Sequence, residues 1–172
     1  MKPSLTATLC TRCGLCCDGS LFADVELASN DEASALEVMG LDIEDDDQGD
    51  GGLLWQPCRG LKGKRCSIYA HRPDCCRTFE CRLLQDVKRG KVGVDPAKKR
   101  IAQALREIER VKKLVVQLGQ VNERLPLKER CLEALALSEQ VEADPQRNRT
   151  RAKLEAAMTS VESMIRETFL GG

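Results

Sequence analysis

The chain has 172 residues, with 27 basic and 27 acidic side chains, and aromatic residues make up only 3% of it. That length suits one domain with an extension, or two small domains, and so few large rings give a thin core unless helices or covalent ties support it. No run of about eighteen apolar residues occurs, which excludes a membrane-spanning helix, and overall neutrality argues against a general nucleic-acid binder.

The first residues, MKPSLTATLC, lack the apolar segment of a secretory signal, so a cytoplasmic location is expected. That expectation changes how the ten cysteines are read. In a reducing compartment thiols stay reduced, and thiolates are strong soft ligands, so a dense cysteine set points to metal rather than to disulfides. Nine of the ten lie within the first 81 residues, and Cys131 stands apart. Charge is also uneven. Residues 1–57 carry two basic and twelve acidic side chains, and residues 58–100 carry thirteen basic and four acidic. The two segments are expected to pack together, or the basic one to offset a negative centre.

In chain order, the first notable stretch is CTRCGLCCDG, residues 10–19, with four cysteines in eight positions. Residues 20–28, SLFADVELA, alternate as a short half-buried strand does. Ser29 is then an N-cap, with Glu32 as its capping-box partner and Gly40 closing a helix of about ten residues. Residues 42–52, DIEDDDQGDGG, resemble a calcium loop only superficially, because the ligand spacing is wrong; a solvated, mobile loop is expected. LLWQPC and CSIY read as the strands of a hairpin around RGLKGKR. HRPDCCRTFECRLLQDVKRG then runs from a proline turn into a helix ending near Gly90. These pieces predict a compact cysteine-rich α+β unit.

From Asp95 the pattern becomes helical. Asp95-Pro96 is a cap followed by proline at the first helical position. Ile101, Ile108 and Val115 recur every seven residues, as do Ala104, Val111, Leu118 and Leu125, with polar Asn122 interrupting the seam. The helix would be about 40 Å long at 1.5 Å per residue. Pro126 starts a second helix through about Val141, and Asp144-Pro145 caps or kinks the chain. Leu154, Met158, Val161, Ile165 and Phe169 give the last helix one apolar face. A coiled-coil-like hairpin or bundle is expected, and its seam could also dimerise or dock a protein partner. The expected organisation is a cysteine-cluster domain at residues 1–94 and a helical extension at 95–172.

Cys10-x2-Cys13-x2-Cys16 matches the three-cysteine run of iron–sulfur ferredoxins, but the fourth cysteine followed by proline is absent. Structural zinc prefers short knuckles, and Cys58-x7-Cys66 and Cys76-x4-Cys81 are looser. An iron–sulfur cluster and zinc both remain open. In extended backbone the adjacent Cys16 and Cys17 point to opposite sides, so the pair suits two centres or a bridge. The front segment supplies half of a ligand shell and residues 58–81 the other half, so metal contributes to folding. The basic side chains between Arg59 and Lys91 can offset thiolate charge, with Arg77 and Arg82 nearest in sequence. The same run lacks interleaved aromatics, which argues against nucleic acid.

The string C-x2-C-G-x-C-C … C … G-x-x-C-S-I-Y-x-x-R-P-x-x-C-R-x-F-x-C, residues 10–81, resembles the CxxCxxCC family of zinc- or iron-chelating proteins, also called YkgJ-type cysteine cluster proteins. The matching positions include Cys10, Cys13, Gly14, Cys16, Cys17, Cys58, Cys66, Ile68, Tyr69, Arg72, Pro73, Cys76, Arg77, Phe79 and Cys81. The resemblance implies eight metal ligands: Cys10, Cys13, Cys16, Cys17, Cys58, Cys66, Cys76 and Cys81. Cys75 is extra to the pattern and reads as a bystander, a substitute ligand or a redox partner. Cys131, at helical spacing with Leu127 and Leu135, reads as a buried structural thiol. His71 matches no fixed family position. Tyr69, Arg72 and Pro73 read as scaffold, with Arg72 donating to sulfur or to backbone carbonyls. Some relatives are linked to flagellin lysine methylation, but this chain shows no glycine-rich nucleotide loop of either common type, so methyl transfer is not carried over.

The expected function is a metal-binding cysteine cluster protein, accessory or redox in role, that holds an iron–sulfur cluster or zinc. The alternatives are a metal-dependent enzyme, either an oxidoreductase or a modification enzyme, and a zinc module binding nucleic acid. Association with itself or an unknown protein partner through the helical extension is expected, and membrane association is not.

Overall fold

The computed structural model describes residues 4–45, 50–139 and 144–171. The chain folds as two units, Met1–Glu80 and Cys81–Gly172. With helices and small antiparallel sheets, the fold is α+β.

In the first unit, helix α1 spans Leu5–Cys13. Ser4 caps it, its Oγ accepting the Ala7 N–H at 3.1 Å. Gly14 ends it with φ 75°, a left-handed turn that a side chain rarely adopts. The expected strand at 20–28 shortens to β1, Asp24–Glu26. Helix α2, Asn30–Val38, starts at Ser29 as expected, whose Oγ accepts the Glu32 N–H at 3.2 Å. The capping box differs in one respect: Glu32 reaches past the cap to the Ala28 N–H, at 2.9 Å.

Two other expectations are corrected. Within the acidic stretch, Ile43–Asp45 form strand β2 rather than loop; the mobile-loop expectation for 46–49 lies outside the described residues. The segment LLWQPC does not form a hairpin with CSIY. Instead β3, Gly52–Trp55, is the central strand of an antiparallel sheet of order β1-β3-β2. Val25 and Ile43 both register with Leu54, and Leu54 is buried with Leu27, Ala33, Leu36, Leu41 and Cys58. A strand with partners on both edges has no backbone groups left for a third. The residues around RGLKGKR make their own small ribbon, β4 (Leu61–Lys62) with β5 (Arg65–Cys66). A 3-10 turn follows at Tyr69–His71.

The single helix expected before Gly90 is two, α3 (Asp74–Thr78) and α4 (Arg82–Lys88). Phe79 leaves the helical path with ψ 124° and packs edge-on against Phe22, ring centroids 5.2 Å apart.

The second unit begins with α4, which buries Leu83, Leu84 and Val87. Helix α5, Val94–Gln117, packs against α6 (Leu127–Glu139) and α7 (Pro145–Ile165), and α4 packs on α5 and on a closing π-turn, Arg166–Leu170. By Cα packing the second unit starts at Cys81, just before α4. The cap of α5 is Gly93, so Asp95 and Pro96 sit inside its first turn. Ile101, Ala104, Ile108, Val111, Val115 and Leu118 are all buried, but the helix stops at Gln117, and Asn122 and Leu125 lie past it. At 24 residues it is about 36 Å long. Asp144 caps α7 by accepting the Gln146 and Arg147 N–H groups at 3.0 and 3.3 Å. Leu154, Val161, Ile165 and Phe169 are buried, with Met158 half-buried beside them.

Cys131 is 2% exposed on α6. Burial pushes its thiol up to about 11 from an ordinary value of 9.0; the Glu162 charge adds to this and Arg130 opposes it. A raised folded value means that stability is intact below pH 9 and is lost as pH rises towards 11. Relative to Cys131→Ala, the wild-type chain should therefore lose stability to urea across that window. Parallel curves for the two proteins would show that the thiol titrates freely when folded.

Candidate metal centre

Cys10 and Cys13 lie one turn apart on α1, Cys10 exposed and Cys13 half-buried. After Gly14 the chain folds back on itself. The amides of Cys17 and Asp18 both donate to the Gly14 carbonyl, at 3.0 and 3.1 Å, and Leu15 anchors the turn with no exposed surface. Cys16 and Cys17 therefore sit on a tight turn, not on the extended backbone that the sequence suggests. Cys17 packs against the sheet core, as does Cys75.

A backbone bond joins the front segment to the second half: the Cys58 N–H donates to the Cys17 carbonyl at 2.8 Å. The same N–H also reaches the side-chain oxygen of buried Gln56 at 3.1 Å. The Gly60 N–H donates to the Cys58 Sγ at 3.3 Å. Residue 60 is tightly packed: a Cβ there would stand 3.3 Å from that sulfur and 3.2 Å from the Ile68 side chain. The Gly60 carbonyl accepts both the N–H and the hydroxyl of Ser67, at 2.7 and 2.8 Å. With Leu61 registered opposite Cys66, this fixes Cys66 beside the Cys58 turn. Cys75 and Cys76 ride on the first turn of α3, where the Cys76 N–H donates to the Pro73 carbonyl at 3.0 Å.

The thiols act on one another. Burial pushes Cys17 up to about 12; the Cys58, Cys66 and Asp18 charges push the same way, and the Arg72 guanidinium opposes them. Burial also raises Cys58, against the hydrogen bond from Gly60. Cys76 is raised first by its side-chain hydrogen bond with Cys75, then by burial and by the charges of Cys75, Cys17 and Cys58; the shared bond lowers Cys75. Cys17, Cys58, Cys66 and Cys76 are thus one electrostatic group. Among the described residues, no three His, Cys, Asp or Glu side chains converge into a ready ion-binding shell. The fold brings this group together without closing it around an ion. Its donor chemistry, one buried and three half-buried sulfurs that disfavour each other's charge, fits a soft cation, which favours the thiolate form.

The basic residues nearest the cysteines in sequence have other tasks. Arg77 donates to the Arg72 and Ala70 carbonyls at 2.6 and 3.4 Å, and Arg82 lies 3.8 Å from Asp86. Arg72 sets its positive charge against Cys17. It stacks 3.7 Å from the Tyr69 ring centroid and donates to the Tyr69 and Cys76 carbonyls at 3.2 and 3.3 Å. The acidic and basic segments do meet at Asp42–Arg59, 2.6 Å apart and half-exposed. His71 is exposed on its 3-10 turn, and Cys81 is half-buried at the start of the second unit. Sequence reading misses Gln56 and the reach of Glu32 to the Asp74 N–H, 2.8 Å. The capping-box spacing of Glu32 signals the helix, and nothing in the sequence marks Gln56 as a partner of Cys58.

The sequence model of the CxxCxxCC family, described as a putative zinc- or iron-chelating domain, matches residues 9–99. No curated protein and no solved structure matches the chain.

Gly60→Ala should crowd the Cys58 sulfur and cost about 1–3 kcal/mol, as overpacking does. The expected readout is a lower melting temperature and faster alkylation of Cys58 in the reduced chain. An unchanged melt and rate would show that Ile68 and the sulfur have room to yield.

Proposed function

The chain belongs to the CxxCxxCC family, and on that premise we propose that it is an accessory or redox metalloprotein whose cysteine thiolates hold zinc or an iron–sulfur cluster. The observation that carries this reading is the match of residues 9–99 to a zinc- or iron-chelating domain, and the fold supports it by bringing Cys58 to Cys17 through their backbone bond. Cys10, Cys13, Cys16 and Cys81 are ligands by the family pattern. The metal supplies a positive centre and, as iron, an exchangeable electron.

The chain's own residues prepare the sulfurs. The Gly60 amide donates to the Cys58 sulfur. Gln56 and the Cys17 carbonyl share the Cys58 amide, fixing the turn that presents it. Arg72 sets a positive charge against Cys17 and ties down the Cys76 carbonyl. Four thiolates around a divalent ion leave a net charge of minus two, which Arg72 partly offsets. Such thiols need a reducing compartment to stay available, which supports a cytoplasmic setting. The helical unit is the proposed contact with a second copy or a protein partner. Its heptad residues are used internally, and Val116, Val121 and Leu132 remain exposed for that contact.

Protein purified without oxygen should carry metal at a fixed ratio to chain. Acid-labile sulfide with iron marks a cluster, and colourless protein with zinc marks a zinc site. Cys13→Ser, Cys16→Ser or Cys76→Ser should lose metal and destabilise the first unit, while Cys131→Ser leaves metal content unchanged. Full metal content and an unchanged melt in the first three would remove those cysteines from the ligand set.

A further inference from the structure

Glu32 lies in the first turn of α2 and belongs to no ligand pattern, yet its carboxylate is shared between two backbone amides far apart in sequence. One oxygen accepts the Ala28 N–H at 2.9 Å. The other accepts the Asp74 N–H at 2.8 Å, across 42 residues. Asp74 is the first residue of α3, the turn that carries Cys75 and Cys76. The N–H groups of a first helical turn have no partner inside the helix, and a carboxylate makes a stronger acceptor than a neutral group.

From the other side Arg72 holds the Cys76 carbonyl at 3.3 Å and the Tyr69 carbonyl at 3.2 Å. The Cys76 backbone is therefore gripped twice: by a carboxylate two residues before it, and by a guanidinium on its own carbonyl. The Arg72 grip is local, reaching four residues at most. The Glu32 grip fastens the cysteine-bearing turn to α2, which packs Ala33 and Leu36 into the same core as Cys58 and Cys17.

We propose that Glu32 is a positioning residue of the metal centre, fixing through the Asp74 amide where the Cys76 sulfur meets the group formed by Cys17, Cys58 and Cys66. This rests on the thiolate-metal reading above. Groups outside the ligand set that orient ligands commonly control metal affinity by ten- to a hundredfold. Glu32 is partly solvated, so the lower end of that range applies.

The test is Co2+ titration of the full-length reduced chain without oxygen, read by thiolate charge-transfer and ligand-field absorption, with Zn2+ competition. Wild type, Glu32→Ala, Glu32→Gln and Ser29→Ala are compared. Ser29→Ala removes the cap of the same helix but leaves both carboxylate bonds, so it reports on α2 stability alone. Glu32→Ala should weaken Co2+ binding about tenfold and alter the ligand-field envelope. Glu32→Gln, nearly isosteric and with one oxygen left to accept, should fall between Glu32→Ala and wild type, and it carries the test if Glu32→Ala does not fold. Ser29→Ala should match wild type in both readouts. Glu32 variants with wild-type affinity and spectrum overturn this inference and leave the metal reading standing. Ser29→Ala weakening binding as much as Glu32→Ala also overturns it, by reducing Glu32 to helix stability. A wild-type chain that takes up no Co2+ overturns this inference and the zinc form of the metal reading, and acid-labile sulfide and iron in the protein purified without oxygen then decide the cluster form separately.

Discussion

The first unit is organised around the hydrogen bond from the Cys58 amide to the Cys17 carbonyl. It joins residues 41 positions apart in the chain and sets near each other two thiols that repel once ionised. The local geometry follows from it. Gly14 turns left-handed ahead of Cys17, buried Gln56 holds the other side of the same amide, and Gly60 passes close to the Cys58 sulfur. Ionising such thiols beside a small core is costly by itself, so without a cation they stay protonated. A bound cation reverses the sign of that cost, which is why binding and folding are coupled in small thiolate domains.

The parts of this arrangement legible in the sequence are those set by local chemistry. Ser29 and Asp144 cap their helices because their side chains accept from amides two or three residues away. The heptad residues of α5 are buried because a 3.6-residue period puts them on one face. The cysteine spacing announces the family, which is the firmest functional statement available, and the same spacing leaves zinc and iron undivided.

What the sequence did not disclose is set at long range. β3 pairs with strands on both sides because Leu54 points into the core between Val25 and Ile43, and no local pattern in LLWQPC distinguishes that from a hairpin. The helix expected before Gly90 breaks because Phe79 finds Phe22, 57 residues earlier. Arg77 and Arg82 are near cysteines in sequence and occupied elsewhere, whereas Arg72 sets its charge against Cys17 through the fold. The α5 seam is covered by α6 and α7, as the expected helical bundle requires, and the heptad spacing records that packing within the unit.

The central claim is that sulfurs from two separated segments share one metal. X-ray absorption at the edge of the native metal, on protein purified without oxygen, tests it most directly. The account predicts a first shell dominated by about four sulfur atoms per metal near 2.3 Å. A shell made mainly of nitrogen and oxygen would contradict it.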